Sequence, residues 1–186
     1  MTRLIVLGAL LSLSLSSCGP SRIYFTVETK LRLDKAGIGL QKVQFYPSAD
    51  IVLVRQISTE DLDVVKGKLK IEGGRKVEEI IIPAGTPGVC EFNDERSMRV
   101  SFDQGDGKLL VFQVERREGN AVPGSYFKIA AKEWTNLNNG SRVGSIDYNG
   151  KVFNLVRGQD TRLMIDKSVI SKTERNTSVA KGRKVD

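Results

Sequence analysis

The sequence predicts an all-β fold, an antiparallel sandwich or small barrel of roughly ten to twelve short strands. Short apolar or alternating segments recur along the chain, and turn-forming residues separate them about every 8–12 residues. Few segments carry the 3.6-residue apolar period of a helix. Hydrophobic residues make up 40% of the 186 residues, which is enough to build one buried core.

The first predicted strand covers residues 21–33, where apolar and polar residues alternate from Ile23 to Leu33. A two-residue period is typical of a strand with one buried face. The dipeptides Gly73-Gly74 and Asn149-Gly150 favour tight hairpin turns, and the second is the strongest hairpin signal in the chain. The further strands are predicted at 40–46, 51–56, 66–71, 76–82, 89–92, 97–102, 108–115, 126–131, 142–148, 151–155 and 162–165.

Helices are predicted at only two short places, residues 59–65 and 132–137. Acidic residues at the start of the first segment suit a helix N-terminus. From residue 168 onward the chain lacks periodicity and is almost wholly polar, so it cannot bury enough apolar surface to offset its ordering entropy. The expected organisation is therefore a signal segment at 1–17, a β-rich domain at 18–167 and a disordered basic tail at 168–186.

The N-terminus has the features of an export signal. Arg3 precedes a nearly continuous apolar stretch at 4–15, which is the length of a signal-peptide core and shorter than the ~20 residues that span a bilayer. The segment Leu15-Ser16-Ser17-Cys18 resembles the lipobox of bacterial lipoproteins. That resemblance implies cleavage before Cys18 and acylation of Cys18. The alternative is an ordinary secretory signal with an incidental cysteine.

The same resemblance bears on the location of the protein. Two or more acyl chains give stable membrane anchoring, and Gly19 instead of Asp after the lipidated cysteine implies the outer membrane, with the domain facing the periplasm. The segments 85–89 and 142–153 are loosely similar to uncharacterised lipoproteins of Bacteroidota-type bacteria. Some lipoproteins of this kind are outer-membrane parts of secretion machines, but the resemblance implies no defined activity.

The residue types exclude several chemistries. The chain contains no histidine, which removes the usual general base and the histidine metal sites. If Cys18 is lipidated, Cys90 is the one remaining cysteine, so neither an internal disulfide nor a cysteine-rich zinc site forms. Cys90 lies in a predicted strand and is expected to be buried and inert, with a reactive thiol as the alternative. We expect a non-enzymatic protein without a cofactor.

Two features are candidate binding sites. Lys66, Lys68 and Lys70 alternate along one predicted strand and form either an anion-binding row or a solvated, aggregation-resistant sheet edge. Trp134 lies in a polar segment, where it would stack on a sugar, anchor a protein interface or close one end of the barrel.

The positive charge is concentrated at the C-terminus. The formal net charge is +7, and residues 167–186 hold six basic and two acidic residues. This end would contact anionic lipid or peptidoglycan, bind a protein or remain solvated. The expected function is a structural or assembly component of a cell-envelope complex, such as a secretion machine, with an envelope protein as its partner and no nucleic acid. The alternative is a glycan- or lipid-binding periplasmic module.

Overall fold

A computed structural model describes residues 21–57, 69–72, 75–115 and 124–174. Within these residues, thirteen strands form two antiparallel sheets. The predicted all-β class is confirmed, and of the two predicted architectures the sandwich is the one observed. The strands are β1 Arg22–Tyr24, β2 Gln44–Pro47, β3 Ile51–Gln56, β4 Leu69–Glu72, β5 Arg75–Ile82, β6 Gly88–Asn93, β7 Ser97–Ser101, β8 Leu109–Val114, β9 Phe127–Ile129, β10 Glu133–Asn136, β11 Arg142–Tyr148, β12 Lys151–Arg157 and β13 Leu163–Asp166.

The two sheets differ in whether their edge strands meet. The seven-stranded sheet has the order β1-β13-β2-β6-β7-β8-β9, and the six-stranded sheet has the order β10-β11-β12-β3-β5-β4. Isolated bridges join Thr26 to Tyr126 and Lys128 to Arg162. These bridges bring β9 against the chain beside β1 and β13, so the two edges of the seven-stranded sheet meet over a few residues.

Aromatic rings fill the centre of the sandwich. The Phe25 ring lies 5.1 Å from Phe45 and 5.3 Å from Phe127 between ring centroids, and all three side chains are fully buried. The six-stranded sheet contributes Leu53, Phe153 and Leu155 to the same core cluster. Because both sheets supply buried residues to one cluster, the described residues form a single packed unit.

The predicted first strand is wrong beyond its first few residues. After β1 the chain forms helix α1, Val27–Lys35. Thr26 caps this helix by accepting a hydrogen bond from the Thr29 backbone N–H, and Glu28 pairs with Arg32 one turn later at 2.8 Å. These capping and i,i+4 contacts favour a helix. The helix still buries Leu33, which is one of the alternating apolar residues.

Three other local predictions are corrected. Residues 40–42 form a 3₁₀ turn, so only the later part of the strand predicted at 40–46 is a strand. The helix predicted at 132–137 is strand β10, because its backbone pairs with β11. The disorder predicted from residue 168 is wrong up to 174, where α2 spans Lys167–Glu174 and packs Val169 and Ile170 against the core.

Several predictions fall outside the described residues. They are the signal segment 1–17 with Cys18, the helix at 59–65, the start of the strand predicted at 66–71, the turn at Gly73-Gly74, and the part of the basic tail beyond residue 174. The hairpin predicted at Asn149-Gly150 is confirmed: β11 and β12 pair across it, and both residues have positive φ angles of 52° and 70°. Such angles match the tight turn that these two residue types favour.

Candidate functional site

The predicted lysine row is only partly described. Lys66 and Lys68 lie outside the described residues, whereas Lys70 lies on β4 opposite Val77 of β5. Strand β4 is the last strand of the six-stranded sheet. This position agrees with the interpretation of the row as edge lysines, which discourage unwanted strand pairing.

Trp134 lies on β10, at the other edge of the six-stranded sheet, and is half-buried against the core. The ring packs over Gly144 of β11, where a Cβ atom would approach the Trp134 Cζ3 atom to 2.9 Å. The Arg142 guanidinium lies 4.1 Å from the ring centroid. The ring is held between Gly144 and the Arg142 guanidinium, so the geometry favours a packing role.

A row of alternating charges begins at Arg142, and we call it the charged ladder. Arg142 lies 3.9 Å from Asp160, and Lys128 Nζ lies 2.5 Å from Asp160 Oδ1 and 3.9 Å from Glu115 Oε1. Arg162 Nη2 then lies 3.3 Å from Glu115 Oε2. The hydrogen bond from Lys128 is the main reason that the pKa of Asp160 lies below its ordinary value.

Aromatic rings flank the charged ladder at both ends. Trp134 lies beneath Arg142, and at the other end the Arg162 guanidinium lies 4.5 Å from the Tyr126 ring centroid. Tyr24 meets Tyr126 edge to face at 5.4 Å. The ladder therefore connects β10 and β11 of one sheet with β9 and β1 of the other, and its charges largely neutralise one another.

Two grooves lie beside the segment that crosses between the sheets at Ala130 and Ala131. The larger has a volume of about 380 Å³, with Leu109, Val111 and Ile146 as apolar walls and Arg99 at its side. The smaller, about 210 Å³, lies between Trp134 and the charged ladder. The larger volume is within the usual range for small-molecule sites.

The outer face of the six-stranded sheet carries an apolar stripe that the sequence analysis missed. Ile81 pairs with Val52. On β12, Val156 lies at a register shift next to Arg157, which is the partner of Val52, and Val143 lies on β11. The side chains of Ile81 and Val156 are 56% and 44% exposed, whereas Val52 is buried at 8% exposure. Valine and isoleucine on the outward positions of four adjacent strands were the available signal, but short apolar runs do not say which face is covered.

Polar groups are also buried inside the sandwich. Arg55 pairs with Glu78 at 2.5 Å on the inner face of the six-stranded sheet, next to Phe153. Burial raises the pKa of Tyr148 to about 12 and the pKa of Cys90 to about 11. Both groups are therefore neutral near pH 7. The predicted burial of Cys90 is confirmed.

In the part of the chain that the structure describes, no group of three or more His, Cys, Asp or Glu residues is placed to hold a metal ion. None of its helices is long and apolar enough to cross a bilayer. In comparisons with known proteins, the chain matches no family model, no curated protein and no solved structure.

Proposed function

We propose that this chain is a lipid-anchored, non-enzymatic component of a cell-envelope complex, located at the outer membrane through Cys18 and facing the periplasm. The observation that carries the assembly role is the apolar stripe of Ile81, Val52, Val156 and Val143. Scattered exposed apolar residues are normal on protein surfaces, whereas contiguous ones are typical of interaction sites. A flat sheet face of this kind suits a protein partner that presents an apolar strand or helix face.

The position of the stripe supports a role in binding a partner and not in stabilising the isolated domain. The neighbouring inward positions, Leu53, Ile82 and Leu155, already fill the core. The exposed stripe residues therefore add little to the stability of the isolated domain, and covering them with a partner would remove apolar surface from water.

The docking role is tested by purification of the full chain from detergent-solubilised membranes. We expect a reproducible protein partner with the native chain and its loss with the double variant Ile81→Glu and Val156→Glu. Leu137→Glu is a matched control, because Leu137 is 43% exposed but lies outside the stripe. An unchanged partner in the double variant, or no partner with the native chain, would contradict the proposal.

The anchor is tested separately. Cys18→Ser in the full chain removes the thiol that would carry the lipid, so we expect the protein to leave the membrane fraction. Retention of the variant in that fraction at the native level would refute lipidation at Cys18, and it would leave the result for the apolar stripe unaffected.

The larger groove supports a second candidate function, the binding of a small amphipathic ligand such as a lipid-derived carboxylate. Its apolar walls suit an acyl chain, and among the described residues Arg99 has no carboxylate partner. Titration with laurate, followed by the fluorescence of Trp134 beside Ala131, is expected to saturate, and Arg99→Gln should weaken binding about tenfold, the value of a charge-assisted hydrogen bond. Absence of saturation would exclude laurate as a ligand of this groove.

A further inference from the structure

Strand β6 contains a β-bulge that turns Phe92 towards solvent. Cys90 of β6 is fully buried and pairs with Val100 of β7. The next paired residue of β6 is Phe92, which lies opposite Arg99, so Glu91 is the extra residue of the bulge. Side chains two positions apart on a regular strand point to the same face, so without the bulge Phe92 would face the core like Cys90. Its ring is instead 58% exposed.

The exposed ring belongs to a row of side chains that runs into the larger groove. Phe92 pairs with Arg99, and Arg99 pairs in turn with Val111 of β8. Arg99, Leu109 and Val111 all line the groove. The Arg99 guanidinium lies 5.9 Å from the Phe92 ring centroid. A guanidinium within about 6 Å of an aromatic ring is attracted to the face of that ring. The bulge therefore supplies a ring that holds Arg99 at the side of the groove.

Arg99 gives the groove an excess of one positive charge. Lys132 and Asp147 also line the groove, but they form an ion pair with each other. Within the part of the chain that the structure describes, no carboxylate pairs with Arg99. Apart from Gln113, the other side chains that line the groove are apolar or absent. An apolar groove with one uncompensated cation suits a hydrocarbon chain that ends in a single negative charge.

We infer that Phe92 positions the Arg99 guanidinium to hold the carboxylate of a fatty acid, so that the larger groove selects a singly charged head group. The inference rests on the second candidate function proposed above, and it adds the class of head group and the residue that positions Arg99. The planar guanidinium matches the two oxygens of a carboxylate. A phosphate monoester carries close to two negative charges at pH 7, which exceeds the one uncompensated cation of the groove.

The contribution of Phe92 to binding comes from ordering Arg99 before the ligand arrives. A long side chain on a sheet surface samples several conformations, and fixing it on binding costs free energy. The contact with the Phe92 ring reduces this cost, because the guanidinium already lies beside the groove. Phe92 therefore acts through Arg99, and its removal should affect ligands with a negative charge and not neutral ones.

The test is calorimetric titration of the chain from residue 18 onward with Cys18→Ser, which contains every strand and helix of the single packed unit. The probes are decanoate, decyl phosphate and decanol, which have the same number of carbon atoms and differ in the head group. They replace laurate because the shorter alcohol stays dissolved. We expect decanoate to bind at least tenfold more tightly than decanol, the value of a charge-assisted hydrogen bond, and more tightly than decyl phosphate.

Variants distinguish a positioning role of Phe92 from a purely structural one. Phe92→Leu should weaken decanoate binding about threefold, the size of an exposed cation–π contact, and leave decanol binding unchanged. Phe92→Tyr keeps the ring and should bind decanoate like the parent chain. In the Arg99→Gln background, Phe92→Leu should have no further effect, because the two residues act as one unit. Arg96→Gln removes an exposed charge from the turn before β7, outside the groove, and is the matched control with unchanged binding.

Several outcomes would overturn the inference while leaving the groove as a site for amphipathic ligands. They are equal binding of decanoate and decanol, tighter binding of decyl phosphate than of decanoate, unchanged decanoate binding in Phe92→Leu, or a loss in Phe92→Leu that persists in the Arg99→Gln background. Saturation by none of the three probes has a different meaning, because it would remove the proposed groove function and the inference with it. The apolar stripe and the lipid anchor are tested by other variants and are unaffected by either result.

Discussion

The two sheets of the sandwich use similar strands but end differently. The seven-stranded sheet brings its two edges together through Phe25, Thr26 and Tyr126, and its surface there is covered by mutually paired charges. The six-stranded sheet keeps two separate edge strands, β10 and β4, and an exposed apolar stripe. The first sheet brings its edge strands against each other, whereas the second presents surface suited to another molecule.

The free edge at β10 can be described at the level of single backbone groups. The Leu137 backbone N–H bonds to the Ser141 carbonyl oxygen at 2.8 Å. Because hydrogen-bonded pairs alternate along an antiparallel ladder, Thr135 faces β11 with its backbone groups. The backbone N–H and C=O groups of Trp134 and Asn136 then face away from the sheet. Within the described ranges, this edge is protected by the shortness of β10 and by its polar side chains.

The largest expected effect is in the sheet whose edges meet. Phe25→Ala removes a fully buried ring that contacts both Phe45 and Phe127, so it should lower the free energy of unfolding by about 3–5 kcal/mol. Urea denaturation measures the change. Phe92→Ala in the same sheet is the control, because that ring is 58% exposed and should cost less than about 1 kcal/mol. Equal costs would show that the ring is not needed where the edges meet.

A smaller effect is expected at the edge of the six-stranded sheet. In Gly144→Ala the new Cβ atom would lie 2.6 Å from the Ala131 Cβ atom and 2.9 Å from the Trp134 ring, so β10 must shift. Overpacking of this kind costs about 1–3 kcal/mol. The chain contains one tryptophan, so its fluorescence reports the shift directly. Gly124→Ala has open space around the new atom and should leave emission and stability unchanged.

The sequence predicts strands well where the segment pairs with neighbouring strands inside a sheet. Three predicted strands have an alternating or continuously apolar pattern and are observed as strands, namely residues 51–56, 76–82 and 142–148. The prediction fails at residues 27–35, where apolar residues two apart satisfy a strand pattern while Thr26 and Glu28 supply helix-start chemistry. There the local capping contacts and the burial of Leu33 outweigh the two-residue period.

Surface features were harder to predict than the strands. The charged ladder joins residues 115, 128, 142, 160 and 162, which no local spacing brings together. Trp134 was identified as a candidate, but its packing against Gly144 depends on the register of β10 and β11.

Cys90 provides a probe of the seven-stranded sheet with an expected effect of about 1 kcal/mol. Burial raises its pKa to about 11, so the folded state keeps the neutral thiol. The stabilisation is fully present below the ordinary pKa of 9.0 and declines as the pH rises towards 11. Between pH 8 and pH 10 the native chain should lose about 1 kcal/mol more stability than Cys90→Ala does. Parallel curves for the two proteins would contradict the assigned burial effect.

The smallest effect is expected in the charged ladder, where the two sheets are linked through exposed groups. The Asp160 side chain is 82% exposed, so its ion pairs are worth only about 0.5 kcal/mol despite the short contact with Lys128. Its pKa is lowered in the folded state, so this contribution is present above about pH 4 and is lost as the pH falls through the folded value.

Asp160→Asn should therefore destabilise slightly at pH 7 and not at pH 2, and 1 M salt should shrink the difference. Asp106→Asn removes an exposed carboxylate outside the ladder and is the control, which should leave the stability at pH 7 unchanged. A loss above about 2 kcal/mol for Asp160→Asn would mean that the ladder clamps the two sheets together, and the six-stranded sheet would then depend on its neighbour for more than the shared core.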